Sequence, residues 1–322
     1  MNIKRLLPIT ACAFAIGAVF FTARMEAQPD TVKQIAPGVW FRQGDVDGKG
    51  HCNNVIIEMK DYLVVIDANF PDGARLTMAD AAKVSKKPIK WVFDTHHHGD
   101  HAYANAVWTK ASAKTFAYVG VAQEMKRYEP SRWKGANRKD VSDLNLPTAE
   151  PPQQTFDKSP FVLDDGSRRI EFHHFGWAHT RGDGFAYLPK EQILCTGDAV
   201  TNGPYNFMGD GHVANWPNVV ANTLKLKVKH VLPGHGGPGG VEVLKGEQTF
   251  MREMYAGVLK LKKAGKSADD LTKMGMDKTL ESALGLSGAS KNWVGKSLAQ
   301  QAVVTYEEIA AGKPHGEIAG GK

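Results

Sequence analysis

The sequence predicts an α/β fold, and three observations point to it. Short apolar runs of strand length alternate with longer stretches of helical periodicity. The order strands, helix, strand, helix occupies the first half of the chain and comes again in the second. Several apolar runs end beside a glycine in a histidine or aspartate, as strands do when they deliver side chains to the carboxyl edge of an open sheet. With 322 residues the chain is long enough for one large domain with a sizeable core.

Taken in order, the strand pattern begins at Val39-Trp40-Phe41. Asn54 to Glu58 and Leu63 to Asp67 read as paired strands joined by the polar link Lys60-Asp61. Ala74 to Val84 has helical spacing. The β-type run Trp91-Val92-Phe93 leads into THHHGDH, and Ala102 to Lys110 reads as the next helix. From Glu129 to Ser159 the chain turns polar and carries Pro130, Pro147, Pro151 and Pro152, the composition of a long surface excursion. Strands resume at Phe161 to Leu163, Ile170 to Phe175, Phe185 to Leu188 and Gln192 to Thr196. A helix over Pro217 to Lys227 precedes a last strand, His230 to Leu232. Three helices follow, Glu242 to Ala264, Ala268 to Met274 and Lys296 to Ala311, and the glycine-rich end after Gly312 reads as disordered.

The N-terminus has the pattern of an export signal: Lys4 and Arg5, an apolar run from Leu6 to Phe21, then small and polar residues up to Ala27. Residues 1–27 are therefore read as a signal peptide, residues 28–240 as one α/β domain, and residues 241–322 as a helical extension packed on it. Localisation is then exported, periplasmic or secreted; an uncleaved N-terminal membrane anchor is the alternative. The composition, 42% hydrophobic and 23% charged, is that of an ordinary soluble globular protein. The net charge of +6 falls to +4 once the +2 of the signal is removed. That argues weakly for an anionic partner, and the basic clusters Lys225 to Lys229 and Leu259 to Lys266 read as solvated helix faces. The mature chain keeps Cys52 and Cys195. Export permits a disulfide, but two distant cysteines do not establish one, and Cys195 in its apolar run reads as an inert buried thiol.

THHHGDH, Thr95 to His101, is the chemical centre of the sequence. In extended backbone, residues two apart point the same way, so His96 and His98 can converge on one metal while His97 points elsewhere. Asp100 and His101 follow on the turn into a helix, placed for a second metal. Three more ligand types stand at strand ends: His179 in GWAHTRGD, Asp198 in CTGDAV and His235 in LPGHGG. Imidazole and carboxylate ligands suit zinc. Of the other histidines, His97, His173 and His174 read as packing or solvent-facing, His212 as a candidate pocket residue, and His51 and His230 carry no signal.

These motifs resemble those of the metallo-β-lactamase superfamily. The HxHxDH signature stands as His96, His98, Asp100 and His101, followed in order by the histidine, the aspartate and the final histidine at His179, Asp198 and His235. The likeness runs from about Pro37 to Pro238. It implies a four-layer αββα sandwich with the site at one edge of two packed sheets. It also implies two Zn2+, with iron or manganese as substitutes. His96, His98 and His179 would hold the first, Asp100, His101 and His235 the second, and Asp198 would bridge them. Asp67, in VVID, matches the aspartate that supports such a site from behind.

The reaction this implies is hydrolysis by a hydroxide bridging the metals, with Asp100 as the catalytic residue that orients it and handles its proton. No G-x-S-x-G motif is evident, and none is needed. The superfamily's β-lactamases usually carry cysteine or serine at the position of Asp198, whereas a bridging aspartate is typical of its thioesterases, lactonases and phosphodiesterases. The expected substrate is thus a small acyl compound: an ester, a thioester, a lactone or a related amide. Promiscuous β-lactamase activity and phosphodiesterase activity are the alternatives. THHHGDH is close to the glyoxalase II form, but the C-terminal part lacks that family's basic glutathione-binding pattern. Tyr128, Arg132, Trp133, Tyr205, Asn206 and Phe207 are candidates for shaping the pocket. The expected partner is a small-molecule substrate, with no nucleic acid and, after signal cleavage, no membrane; homo-oligomerisation stays open.

Overall fold

The structure is a computed structural model that describes residues 30–319. The signal reading lies outside the described residues. Among the described residues no helix is long and apolar enough to cross a membrane.

Strands β1 (Val32–Ala36), β2 (Val39–Arg42), β3 (Asn54–Glu58) and β4 (Leu63–Ile66) form an antiparallel meander. Helix α1 (Pro71–Val84) then crosses to β5 (Ile89–Asp94). Short helices α2 (Gly99–Ala102) and α3 (Asn105–Lys110) lead to β6 (Lys114–Tyr118), followed by α4 (Val119–Tyr128), α5 (Ser131–Gly135), α6 (Lys139–Ser142) and β7 (Gln154–Phe156). The strands β1 to β7 make one sheet in sequence order, parallel from β4 onward. A second sheet, in the order β12-β11-β10-β9-β8, is built from β8 (Phe161–Asp164), β9 (Arg169–His173), β10 (Phe185–Leu188), β11 (Ile193–Gly197) and β12 (His230–Pro233). Helix α7 (Trp216–Thr223) links the last two strands, which run parallel. The helices α8 (Val241–Lys263), α9 (Ala268–Met276), α10 (Leu280–Leu284), α11 (Leu298–Ala311) and α12 (His315–Ala319) complete the chain.

The period of two along each strand makes the layers. Val55 and Ile57 of β3, Val64 and Ile66 of β4 and Phe93 of β5 point between the sheets, where they meet Phe172, Ala186, Leu188, Ile193 and Cys195. The alternate residues point outward. Val65 and Val92 pack under α1 and α3 with Ala74 and Trp108. Phe185, Tyr187 and Leu194 pack under α7, α8 and α11 with Trp216, Phe250, Met254 and Ala302. Helices therefore flank two stacked sheets, the αββα arrangement expected. Cys52 and Cys195 are both free and buried, and burial pushes both thiols up.

Four local expectations are corrected. The helix expected over 102–110 is broken, because the Ala104 amide donates to Asn69 O at 2.9 Å instead of extending the helical ladder. The polar stretch 129–159 is structured: Trp133, Val141 and Ala149 bury against Tyr103 and Val121 and fold it into α5, α6 and β7. Helix α7 ends at Thr223, so Lys225 to Lys229 lie in the turn into β12, where the Lys229 amide donates to Gln192 O. The tail after Gly312 forms α12, anchored by a buried His315. Strand β1 was also not read from the sequence.

Candidate metal centre

Strand ends deliver each side chain of the site. β4 runs into Asp67, which holds a left-handed backbone (φ 68°) and turns its carboxylate under the next loop. There Asp67 Oδ1 accepts from Thr95 N at 2.9 Å, and Oδ2 faces His101 Nδ1 at 3.0 Å. Strand β5 runs into His96, His97 and His98, and α2 then carries Asp100 and His101. The loop after β9 supplies His179, β11 supplies Asp198, and β12 supplies His235. Gly234 is required for this convergence: a Cβ there would lie 2.2 Å from Asp198 Oδ1 and 2.9 Å from His101 Cε1.

The seven residues meet in two adjoining groups. His98 Nδ1 lies 3.2 Å from His96 Nε2 and 2.9 Å from His179 Nε2. In the second group His235 Nε2 lies 2.9 Å from Asp100 Oδ2 and 3.4 Å from His101 Nε2. Asp198 sits between them, with Oδ1 3.5 Å from His101 Nε2 and Oδ2 3.5 Å from His235 Nε2 and 3.9 Å from His179 Nε2. A tetrahedral ion with about 2.0–2.1 Å bonds to nitrogen needs ligand nitrogens roughly 3.3 Å apart. The observed spacings fit that. Asp198 Oδ1 is a second indication, since it is buried without a hydrogen-bond partner.

The protonation states of His96, His179 and the two carboxylates suit ligation, whereas, against burial, the carboxylates around His101 and His235 shift those two toward the charged form. Burial and the neighbouring imidazoles hold His96 well below its ordinary value and His179 at about 3, so both are neutral and present a lone pair. Burial opposes ionisation of Asp100 and Asp198, but the surrounding histidines overcome it and hold both carboxylates ionised.

Outward ring nitrogens are tied down, which fixes ring orientation. His179 Nδ1 donates to Phe207 O at 2.9 Å, and His96 Nδ1 stands 3.1 Å from Thr95 Oγ1. His98 Nε2 donates to Asp210 Oδ2 at 2.8 Å. Asp210 also takes both arms of Arg132, at 2.6 and 2.8 Å. Burial opposes its ionisation, but the Arg132 guanidinium holds its carboxyl well below the usual range. Of the two places expected for His97, packed or facing solvent, the structure shows the packed one: it is buried, stacked 5.2 Å from the Tyr128 ring and 3.4 Å from Asp210.

A cavity of about 440 Å3 opens over the site. Of the six residues proposed to shape it, Arg132, Tyr205 and Phe207 line it; Tyr128, Trp133 and Asn206 do not. His212 packs edge-on against Trp177 and does not line it. Tyr103, Glu129, Val46 and His51 line it and were missed. Asp210 was missed too. Asp210 follows no apolar run, so no local pattern marked it. His51 sits in a glycine-rich loop without periodicity.

A family model described as the metallo-beta-lactamase superfamily matches residues 47–235. Solved structures show the same fold at low identity. A metallo-beta-lactamase from Pontibacter korlensis is 20% identical, with a TM-score of 0.58 over 69% of this chain and 98% of that one. TMB-1 is 22% identical, with a TM-score of 0.57 over 70% and 99%. FIM-1 from Pseudomonas aeruginosa, in its mono-zinc form, is 18% identical, with a TM-score of 0.56 over 71% and 97%.

Proposed function

The chain belongs to the metallo-β-lactamase superfamily, a family of hydrolases, and from that premise we propose that it uses a dinuclear metal site to hydrolyse small, neutral acyl substrates. The carrying observation is Asp198, whose carboxylate lies between the two histidine groups at the floor of one cavity. His96, His98 and His179 would hold one ion, Asp100, His101 and His235 the other, with Asp198 shared. When bound, two such ions, zinc by ligand type, supply Lewis acidity and a water acidified toward neutral pH.

The chain's own residues do the rest. Asp100, ionised and on the cavity floor, orients the attacking water and takes its proton. Tyr103 is committed: its hydroxyl donates to Glu129 at 2.6 Å. The Tyr205 hydroxyl makes no hydrogen bond to a described residue. It therefore suits the oxygen on which charge develops when the acyl carbon is attacked.

Charge supports the substrate class. Arg132 is the one lysine or arginine among the described residues lining the cavity, and Asp210 takes its guanidinium bidentately. A substrate carboxylate or phosphodiester finds no free cationic side chain there. The mouth is apolar, with Val46, Tyr205 and Phe207 each 39–44% exposed. Acyl groups with an apolar chain match this lining. The β-lactamase names of the solved neighbours favour a second reading, turnover of β-lactams, whose carboxylate has no such partner here.

A panel of lactone, thioester, ester, bis(p-nitrophenyl) phosphate and carbapenem on zinc-loaded protein tests this, with His96→Ala as control. Neutral acyl compounds are expected to show the highest kcat/KM, by at least about tenfold, all lost in the control. A carbapenem or phosphodiester turned over faster than every acyl compound would overturn it.

A further inference from the structure

His51 lies outside every metal-binding motif of the chain, yet it reaches the site. Its Nδ1 stands 3.1 Å from Asp100 Oδ2. Its ring packs edge-on between Phe70, at 5.0 Å, and His235, at 5.8 Å. We propose that His51 is the positioning residue of Asp100: the Nδ1–H of His51 holds the Asp100 carboxylate in the orientation that serves the His101–His235 half of the site. The proposal rests on the dinuclear reading above.

The backbone argues that this placement is built. His51 has φ 35°, a left-handed conformation that disfavours a side chain with a Cβ and that glycine takes without cost. The sequence nevertheless spends a histidine there. The carbonyls of the residues on either side are clamped, since Asn69 Nδ2 donates to Gly50 O at 2.8 Å and to Cys52 O at 3.1 Å. Gly44 closes over the loop, where a Cβ would lie 2.3 Å from His51 O. Asn53, two residues on, ties the same loop to the end of β12. Asn53 N donates to Gly234 O at 2.8 Å, and Asn53 Nδ2 donates to Pro233 O and Gly236 O at 2.9 and 2.8 Å. His51 is thus fixed relative to both Asp100 and His235.

The donor count gives it a role. Three imidazole nitrogens face Asp100 Oδ2: those of His51, His235 and, at 3.3 Å, His101. His101 and His235 would give those nitrogens to a metal and could no longer donate. His51 would then be the remaining side-chain donor to this oxygen among the described residues. Hydrogen bonds to a ligating carboxylate of this kind set its orientation and raise metal affinity.

Two variants separate the possibilities. His51→Gly removes the imidazole and relaxes the backbone, so folding is preserved. His51→Asn keeps a donor close to the place of Nδ1 and tolerates the left-handed conformation. Zn2+ and Co2+ affinities are measured by competition with a chromophoric chelator, alongside the Co2+ absorption spectrum and kcat and KM for an ester. In His51→Gly the second metal equivalent is expected to weaken about 10- to 100-fold, with the first unchanged. Its kcat falls while KM holds, and His51→Asn recovers most of both losses. Unchanged second-metal affinity in His51→Gly overturns the proposal. So does failure of asparagine to recover it with a Co2+ spectrum altered in both variants, which would make His51 a ligand. Wild-type protein that binds fewer than two metals per chain overturns the dinuclear reading itself.

Discussion

Replacing Asp210 by asparagine tests whether the site is held from behind by charge. Asp210 is 1% exposed and receives Arg132 Nη1 and Nη2, His98 Nε2 and, more distantly, His97 Nε2. Asparagine offers one carbonyl oxygen. Placed where Oδ2 stands, it keeps the bonds to His98 and Arg132 Nη1, but its NH2 then faces Arg132 Nη2, donor against donor. Losing one charge-assisted bond costs about 1.5–3 kcal/mol. Losing the counter-charge of the guanidinium adds to that, though less than at a fully buried pair, because the Arg132 side chain is 34% exposed. The expected loss is about 2–4 kcal/mol of unfolding free energy in metal-free protein, read from urea denaturation. First-metal affinity, measured separately, should fall by about tenfold, since the oxygen to His98 survives. Arg132→Met in the same chain should recover part of the stability loss, because the stranded charge is gone. A stability change under about 0.5 kcal/mol would refute the reasoning.

Gly234→Ala should abolish second-metal binding while leaving the circular dichroism spectrum intact, because the added methyl falls on Asp198 and His101; two metals still bound by titration would show that the loop yields. Glu247 gives a pH signature. Burial pushes its carboxyl up to about 8, against hydrogen bonds from Thr201 N and Asn206 Nδ2. The folded chain therefore holds a proton that the unfolded chain releases above its ordinary value of 4.5. Stability from this group is present at low pH and declines as pH rises from 4.5 toward about 8, by at most ~1.4 kcal/mol per pH unit. Glu247→Gln, which cannot ionise, should flatten that slope in urea midpoints at pH 5.5 and 7.5; parallel slopes would exclude Glu247 as its source.

What the sequence disclosed depended on distance along the chain. His96, His98, Asp100 and His101 sit within six residues, and a period of two predicts that His96 and His98 share a side while Asp100 and His101 follow on the turn into a helix. His179, Asp198 and His235 could be found because each follows an apolar run that ends at the sheet edge. The support residues have no such signature. Asp210 reaches His98 across 112 positions, and His51 reaches Asp100 across 49. The first pairing exists only after both sheets have stacked, and the second only after β2 to β5 have assembled into one sheet. The excursion 129–159 misled for a related reason. Its buried apolar residues, Trp133, Val141 and Ala149, are too widely spaced to show a period, yet each packs in one cluster with Tyr103 and Val121.

The C-terminal helices extend the same point from residues to elements. The stretch between Asp198 and α7 carries Tyr205, Phe207 and Asp210, so its position decides the cavity wall and the support of His98 and His179. It contains three glycines and no regular element of its own. Bonds to Ala178, Arg132 and His235 order part of it, and the rest of its order comes from what lies over it. Trp293 Nε1 donates to Thr201 O, and Gln301 Nε2 donates to Asn206 O. His315 Nδ1 donates to Gly209 O at 2.6 Å, while Glu308 accepts from the amides of Val213 and Ala214 just beyond. Every one of these partners lies in residues 293–315, beyond the matched family region of 47–235. The candidate ligands all lie in the family region, but the loop that shapes the pocket is held in part by the helical layer that follows. Substitutions at these clamps should therefore change the cavity wall without touching His96, His98 or His179.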